Sequence, residues 1–211
     1  MPRKNPRWRR RKDARPAEIL DAALACFAEN GFAATRLDDI AKRAGVTRGT
    51  LYLYFSSKED LFKAMVSQVV VPEVTTREAV AAKSTGSIAG TVHGLMLSLV
   101  ELVRNDRVSV MPKIVFSEAR KFPELAKFYL NEVVRRNQKL VGSLLREGIK
   151  RGEFRDIDVD QAFFCVMSPI LLTMLWRHSF GNVKGAPKLE ALCKTHADLL
   201  LHGLMKPGAV S

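Results

Sequence analysis

Residues 44–55, AGVTRGTLYLYF, set a tight turn between two short helices and so restrict the N-terminal part of the chain to a compact helical arrangement. Gly45 stands where a first helix has to stop in a left-handed backbone conformation, and Val46 offers an apolar wedge between the two helices. Thr47 is the expected cap of the second helix. Its side-chain oxygen would accept from a backbone N–H of the first turn, formed by Arg48, Gly49 and Thr50. Leu51 and Phe55 are four apart, share one face and are assigned to the core, which leaves Arg48, Thr50, Tyr52 and Tyr54 facing outward. A donor-rich, aromatic-bearing outer face suits a helix that reads base edges with its first residues and touches phosphates with its flanks.

The neighbouring segments complete a small helical module. Ile19, Leu20, Ala23, Leu24 and Phe27 form a helical stripe within residues 17–30, closed by the stop signal Asn30-Gly31. Thr35 with Asp38 reads as the cap of a second helix carrying Leu37, Ile40, Ala41 and Ala44. After the motif, Ser56-Ser57-Lys58-Glu59 reads as a capping box for a helix with Leu61, Phe62, Met65 and Val69 on its apolar face. Two residues are poorly placed for stability alone. Gly49 costs about 1 kcal/mol relative to Ala inside a helix, which close approach to DNA would explain. Lys58 opposes the dipole at a helix start by ~0.3–1 kcal/mol, which points to an anion nearby.

In order and spacing these segments resemble the tetracycline-repressor-type (TetR-type) transcriptional regulators. The resemblance runs from about Ile19 to Leu61: Phe27-Ala28-Glu29-Asn30-Gly31-Phe32, Thr35 with Ile40-Ala41, then AGVTRGTLYLYF, then Lys58 with Leu61. It implies an all-α homodimer, each subunit setting the helix from Arg48 to Tyr54 into a major groove of a double-stranded DNA operator. Thr47, Arg48, Gly49, Thr50, Tyr52 and Tyr54 would lie at or beside the DNA, with Thr35 and Lys58 on phosphates. Arg48 and Thr50 are the expected base readers, while Tyr52, Tyr54 and Lys58 hold the backbone. The resemblance further implies an effector pocket among the middle helices and a dimer interface built from the last two.

Charge points the same way but from another place. Of the formal net charge of +12, most sits in residues 1–15, where eight basic side chains, among them Arg9, Arg10, Arg11 and Arg15, face Asp13 alone. Residues 16–62 carry five basic side chains against seven acidic ones, so the folded module is slightly acidic. The domain reading is therefore a basic, disordered arm over 1–15, a helix-turn-helix domain over 16–71, and an effector-binding and dimerisation domain over 72–211. The arm would add salt-dependent grip on the phosphate backbone. It also leaves a rival reading open, a non-specific binder of nucleic acid or of anionic surfaces that acts through the arm.

Residues 72–211 read as all-helical and apolar, interrupted at Pro72, Lys83-Ser84-Thr85-Gly86, Asn105-Asp106 and Gly152. Met96, Met111, Phe116, Phe163, Met167 and Trp176 are the candidate effector lining, adaptable and apolar if turned inward. No stretch reaches ~18 consecutive apolar residues, so no membrane span is expected. Cys26, Cys165 and Cys193 are unpaired in sequence, and His93, His178, His196 and His202 lack metal-ligand spacing. A reducing cytoplasm and no metal or other cofactor are the expectation. No phosphate-cradling glycine fingerprint, His-Glu-x-x-His or Gly-x-Ser-x-Gly is present, so an enzyme reading has no residues to rest on. The function expected is that of a repressor released from a palindromic operator by a small apolar or amphipathic ligand.

Overall fold

The computed structural model describes residues 6–181, 183 and 188–206, with side chains from residue 15 onward. Among them the architecture is helical, apart from one isolated antiparallel bridge between Phe154 and Met205. Helix α1 spans Pro6–Asn30 and ends at Gly31, whose φ of +80° gives the left-handed stop read from Asn30-Gly31. Its start is a correction. The basic stretch read as a disordered arm is helical from Pro6 on, ahead of the Ala17 expected as the first helical residue. Proline is tolerated in a first turn, and Arg and Lys are good helix formers that can extend a helix already anchored by Ile19, Leu20 and Phe27. Arg15 pairs with Glu18 at 3.0 Å. The side chains of Arg9, Arg10 and Arg11 lie outside the described residues.

Helices α2 (Leu37–Arg43) and α3 (Arg48–Tyr52) follow, joined through Gly45 at φ +63°. Helix α4 (Lys58–Met65) continues through a π-helical turn, Val66–Val70, into α5 (Val71–Lys83). Pro72 was expected to interrupt the pattern and does not. It sits in the first turn of α5, and the wider turn before it takes up the missing N–H and the ring without ending the helix. One continuous rod therefore crosses the position at 71 where a domain boundary was read.

The remaining helices are α6 (Ile88–Arg104), α7 (Asp106–Ser109), α8 (Met111–Glu118), α9 (Pro123–Tyr129), α10 (Arg135–Lys150), α11 (Val159–Phe180) and α12 (Leu189–Leu204). A second π-helical turn, Leu130–Val134, joins α9 to α10, and Gly152 at φ +77° ends α10 where the sequence placed a stop. Two cores result. The first packs Ile19, Phe27, Phe32, Ile40, Leu51, Leu61 and Phe62 together with Met111, Ile114, Leu125 and Tyr129, so α8 and α9 are part of the core of the N-terminal helix-turn-helix module. The second joins α6, α10, α11 and α12 through Val92, Met96, Leu99, Leu145, Phe154, Val166, Ile170, Cys193 and Ala197.

Helix α11 comes nearer to a membrane span than the sequence reading expected: among the described residues it alone is long and apolar enough, with a mean hydropathy of 1.5. One side of it is packed and the other is exposed. It touches α6, α8, α10 and α12, is capped by Asp158 and ends on Arg177 and His178.

Candidate DNA-binding and effector sites

The recognition surface is built by the cap on α3. Thr47 accepts from the Thr50 backbone N–H at 3.1 Å, and its oxygen lies 2.9 Å from the Thr50 hydroxyl, fixing the first turn. Leu51 is fully buried and Phe55 nearly so, which rotates Thr47, Arg48, Gly49 and Tyr52 outward together. Arg48 donates to the Asp38 carboxylate at 3.2 Å and to the Tyr52 hydroxyl at 3.3 Å, and its guanidinium stands 5.5 Å from the centre of the Tyr52 ring. These partners aim the guanidinium along the outer face. An exposed pair of this kind is worth at most about 1 kcal/mol, so the fork is free to re-aim at a guanine edge. Thr50 is half-buried, and Tyr54 lies at the rim, packed against the core behind. The helix ends at Tyr52, two residues short of the Arg48 to Tyr54 span read from sequence, because the chain must swing Phe55 inward.

Two of the expected phosphate contacts are placed differently. Thr35 is buried, and its hydroxyl lies 2.7 Å from the Gly31 carbonyl and 3.1 Å from that of Cys26, so it serves the end of α1 instead of facing DNA. With its hydroxyl so used, Thr35 is not the cap of α2. Arg36 takes that position, and its N–H donates to Asp39 at 3.2 Å, one residue later than the Thr35–Asp38 reading. Lys58 donates to the carbonyls of Phe32 at 2.8 Å and Ala33 at 3.1 Å and stands 4.9 Å from the Phe32 ring centre. The unfavourable dipole position of Lys58 is thus compensated inside the chain, by carbonyls and a ring face.

A second site opens between α5, α8, α9, α10 and α11: an apolar cavity of about 380 Å³. Of the six residues read as effector lining, it includes Phe116, Phe163 and Met167. Met96 is instead buried in the core of α6, α10, α11 and α12, and Met111 in the core beneath α1 and α4, while Trp176 packs on Phe180 with ring centres 4.9 Å apart. Helical spacing could not separate these outcomes, because core and cavity wall share one periodicity. The polar groups of the wall were missed altogether. They are Arg77, Tyr129, Asn137 and Ser168. Burial pushes the Tyr129 phenol well above its ordinary range and lowers the Arg77 pKa, with Glu73 acting the other way on Arg77. Arg77 follows Val70 and Val74 at inward helical spacing, so a cation on an inward stripe was the available signal. Both π-helical turns border this cavity, through Val70 and through Leu130, Val133 and Val134.

Two larger clefts, of about 600 and 620 Å³, are open grooves with charged walls. One lies between α5 and α6 beside Glu73, Glu101 and Arg104, the other between α1, α7 and α11 beside Asp21, Asp106 and Arg107. The first shares Arg77 and Leu102 with the apolar cavity as a common wall.

Comparison with known proteins decides what this pair of sites belongs to. Residues 19–65 match the family model for bacterial regulatory proteins of the tetR family, and residues 82–183 match that of the tetracyclin repressor-like C-terminal domain. The fatty acid metabolism regulator protein of Bacillus subtilis is 31% identical over 69% of this chain and 74% of its own. The chain belongs to the tetR family. The transcriptional repressor KstR2 of Rhodococcus jostii is 29% identical over 93% of this chain and 94% of its own. The solved structure of the ketosteroid transcriptional regulator KstR2 of Mycobacterium tuberculosis superposes with a TM-score of 0.73 at 25% identity, covering 92% and 96% of the two chains. As a tetR-family member the protein is an all-α, DNA-binding transcriptional regulator, and the rival reading of a non-specific basic binder is not favoured. Both family segments lie outside the basic stretch 1–15, so the match rests on the reader and the regulatory helices and owes nothing to the excess charge.

Proposed function

We propose that the protein is a homodimeric repressor that leaves a palindromic operator when an amphipathic, lipid-class ligand with an anionic end enters the apolar cavity. The observation that carries this reading is the double use of α8 and α9. One face of these helices lines the cavity through Pro112, Val115, Phe116, Ala126 and Tyr129. From the same helices Lys113 reaches the Ala28 carbonyl at 3.4 Å, Glu118 lies 3.5 Å from the Ala33 N–H, and Phe128 meets Lys63 of α4. Phe122, at the start of α9, packs on Phe32. A ligand that prefers a different setting of α8 and α9 shifts the spacing of the two recognition helices, and only such a differential affinity releases DNA.

The ligand class follows from the walls. A cavity of this size is within the range of small-molecule sites, roughly 300–1,000 Å³, and its apolar lining suits a hydrocarbon body. Arg77 sits where the cavity meets the charged groove between α5 and α6, placed to hold a carboxylate or a similar anion. The names of the relatives agree in kind, one a fatty acid metabolism regulator and the other a ketosteroid transcriptional regulator. Arg9, Arg10, Arg11 and Arg15 would add sequence-independent grip, and the cytoplasm is the compartment that such a regulator needs to reach DNA.

Electrophoretic shift on DNA flanking the protein's own gene tests the reading at both sites. Specific retardation at moderate salt is expected, reversed by long-chain fatty acids or steroid carboxylates and not by the matching neutral alcohols. The Arg77→Met variant should still bind operator but need roughly tenfold or more of the carboxylate for release, the loss of one charge-assisted contact. Unchanged release of Arg77→Met would remove the anionic end from the proposal. Arg48→Ala should lose about 1–3 kcal/mol on the operator and relax base preference at one position. Equal losses on operator and random DNA would assign Arg48 to the phosphates instead.

A further inference from the structure

Leu53, the residue that caps the C-terminal end of α3, is 82% exposed, and its backbone N–H donates to the Gly49 carbonyl at 3.2 Å, so it stands one turn beyond Gly49 on the outer side. A lone exposed leucine on a protein surface ordinarily carries no meaning. The setting of this one is particular. Arg48 and Tyr52 flank the Gly49–Leu53 strip at the same helical spacing, and Leu53 packs on neither core. Nothing inside the chain requires the glycine either. A Cβ built on Gly49 would meet only the Thr47 hydroxyl oxygen, at 3.8 Å, and its backbone is not left-handed. The strip therefore combines an apolar side chain with open space beside it, in a row of hydrogen-bonding groups directed at DNA.

We propose that Leu53, with the space above Gly49, receives the C5-methyl group of a thymine in the operator's major groove. This rests on the reading of α3 as the recognition helix. The major groove displays one apolar group, the thymine methyl, and apolar side chains are its complement. Arg48 and Tyr52 then bond to neighbouring base edges or phosphates while Leu53 sets one position as T. The absent Cβ of Gly49 lets the backbone come close enough for the methyl to be covered from both sides.

Replacement of thymine by deoxyuridine removes that methyl and nothing else. An operator is first selected from random DNA with the wild-type protein, and each thymine of a half-site is then replaced in turn by deoxyuridine. One position should weaken wild-type binding roughly fourfold, the value of one buried methyl, and about fifteenfold when both half-sites are changed. The Leu53→Ala variant should melt at the wild-type temperature, bind the thymine operator more weakly, and no longer distinguish thymine from deoxyuridine at that position. Gly49→Ala should raise the melting temperature slightly, as alanine does in a helix, yet lower operator affinity, a combination that a structural role for Gly49 would not produce. If no thymine is sensitive, or if Leu53→Ala keeps the full discrimination, the proposal is wrong while operator binding by α3 stands. Failure to select any operator would remove the recognition-helix reading itself, and the thymine contact with it.

Discussion

A double variant, Leu172→Asp with Leu199→Asp, should sediment as a monomer and lose on the order of a hundredfold or more in operator affinity, approaching its affinity for random DNA. Leu172 on α11 is 62% exposed and Leu199 on α12 is 67% exposed, on two helices that pack against each other. The buried side of α11 is accounted for by Phe163, Val166, Ile170 and Met174. Its outer side still presents Cys165, Ser168 and Leu172 at spacings of three and four, small or apolar residues and no charge, with Phe180 exposed near its end. Two such helices from each subunit would form the four-helix arrangement that the family resemblance implies, packed as in helix bundles.

The size of the effect comes from symmetry. A two-fold interface brings the same patch together from both subunits, so each substitution enters twice and sets carboxylates into an apolar, desolvated surface facing their own copies. Half-sites one helical turn apart, ~34–36 Å or a multiple, are read only while the two α3 helices are held at that spacing. A monomer keeps one half-site and the basic stretch, which supply the non-specific part of the affinity. Sedimentation equilibrium and a shift assay on the same samples check both halves of this expectation. A double variant that stays dimeric and binds operator normally would place the interface on another face.

What was legible in the sequence, and what was not, divides along physical lines. Gly31, Gly45 and Gly152 were read as helix stops, and all three carry positive φ, because a left-handed stop is a local property of one residue. The Thr47 cap and the core assignment of Leu51 and Phe55 depend on a few neighbours and were equally readable. The partners of Lys58 were not readable for the opposite reason. The carbonyls of Phe32 and Ala33 lie 26 and 25 positions away in the chain and become partners only once α4 has packed beside the end of α1. The cavity is harder still. It is the space left between helices, and Met111 and Met167 follow the same stripe rule although one fills a core and the other lines a void. Arg77 was visible as a misplaced charge, but its meaning needed Tyr129 and Asn137 beside it.

Phe32→Ala should cost about 3–5 kcal/mol, a large share of the ~5–15 kcal/mol that holds a typical domain folded. Phe32 is fully buried, and its ring centre lies 5.0 Å from that of Phe27 in α1, 6.2 Å from Phe62 in α4 and 4.8 Å from Phe122 at the start of α9, with the Lys58 ammonium over its face. Removing it opens a void among three elements and takes the ring from under a cation. For a chain of this length a melting temperature lower by roughly 6–20 °C is expected in calorimetry. The neighbours then separate stability from signalling. Phe27→Ala damages the DNA-binding module itself and should lower both melting temperature and operator affinity. Phe122→Ala removes only the contact toward the cavity side, so operator binding should persist while ligand-driven release weakens. If Phe122→Ala is released by ligand as readily as the wild type, the coupling runs through Lys113 and Glu118 of α8 and Phe128 of α9, and Phe32 is a core residue of the DNA-binding module with no part in transmission.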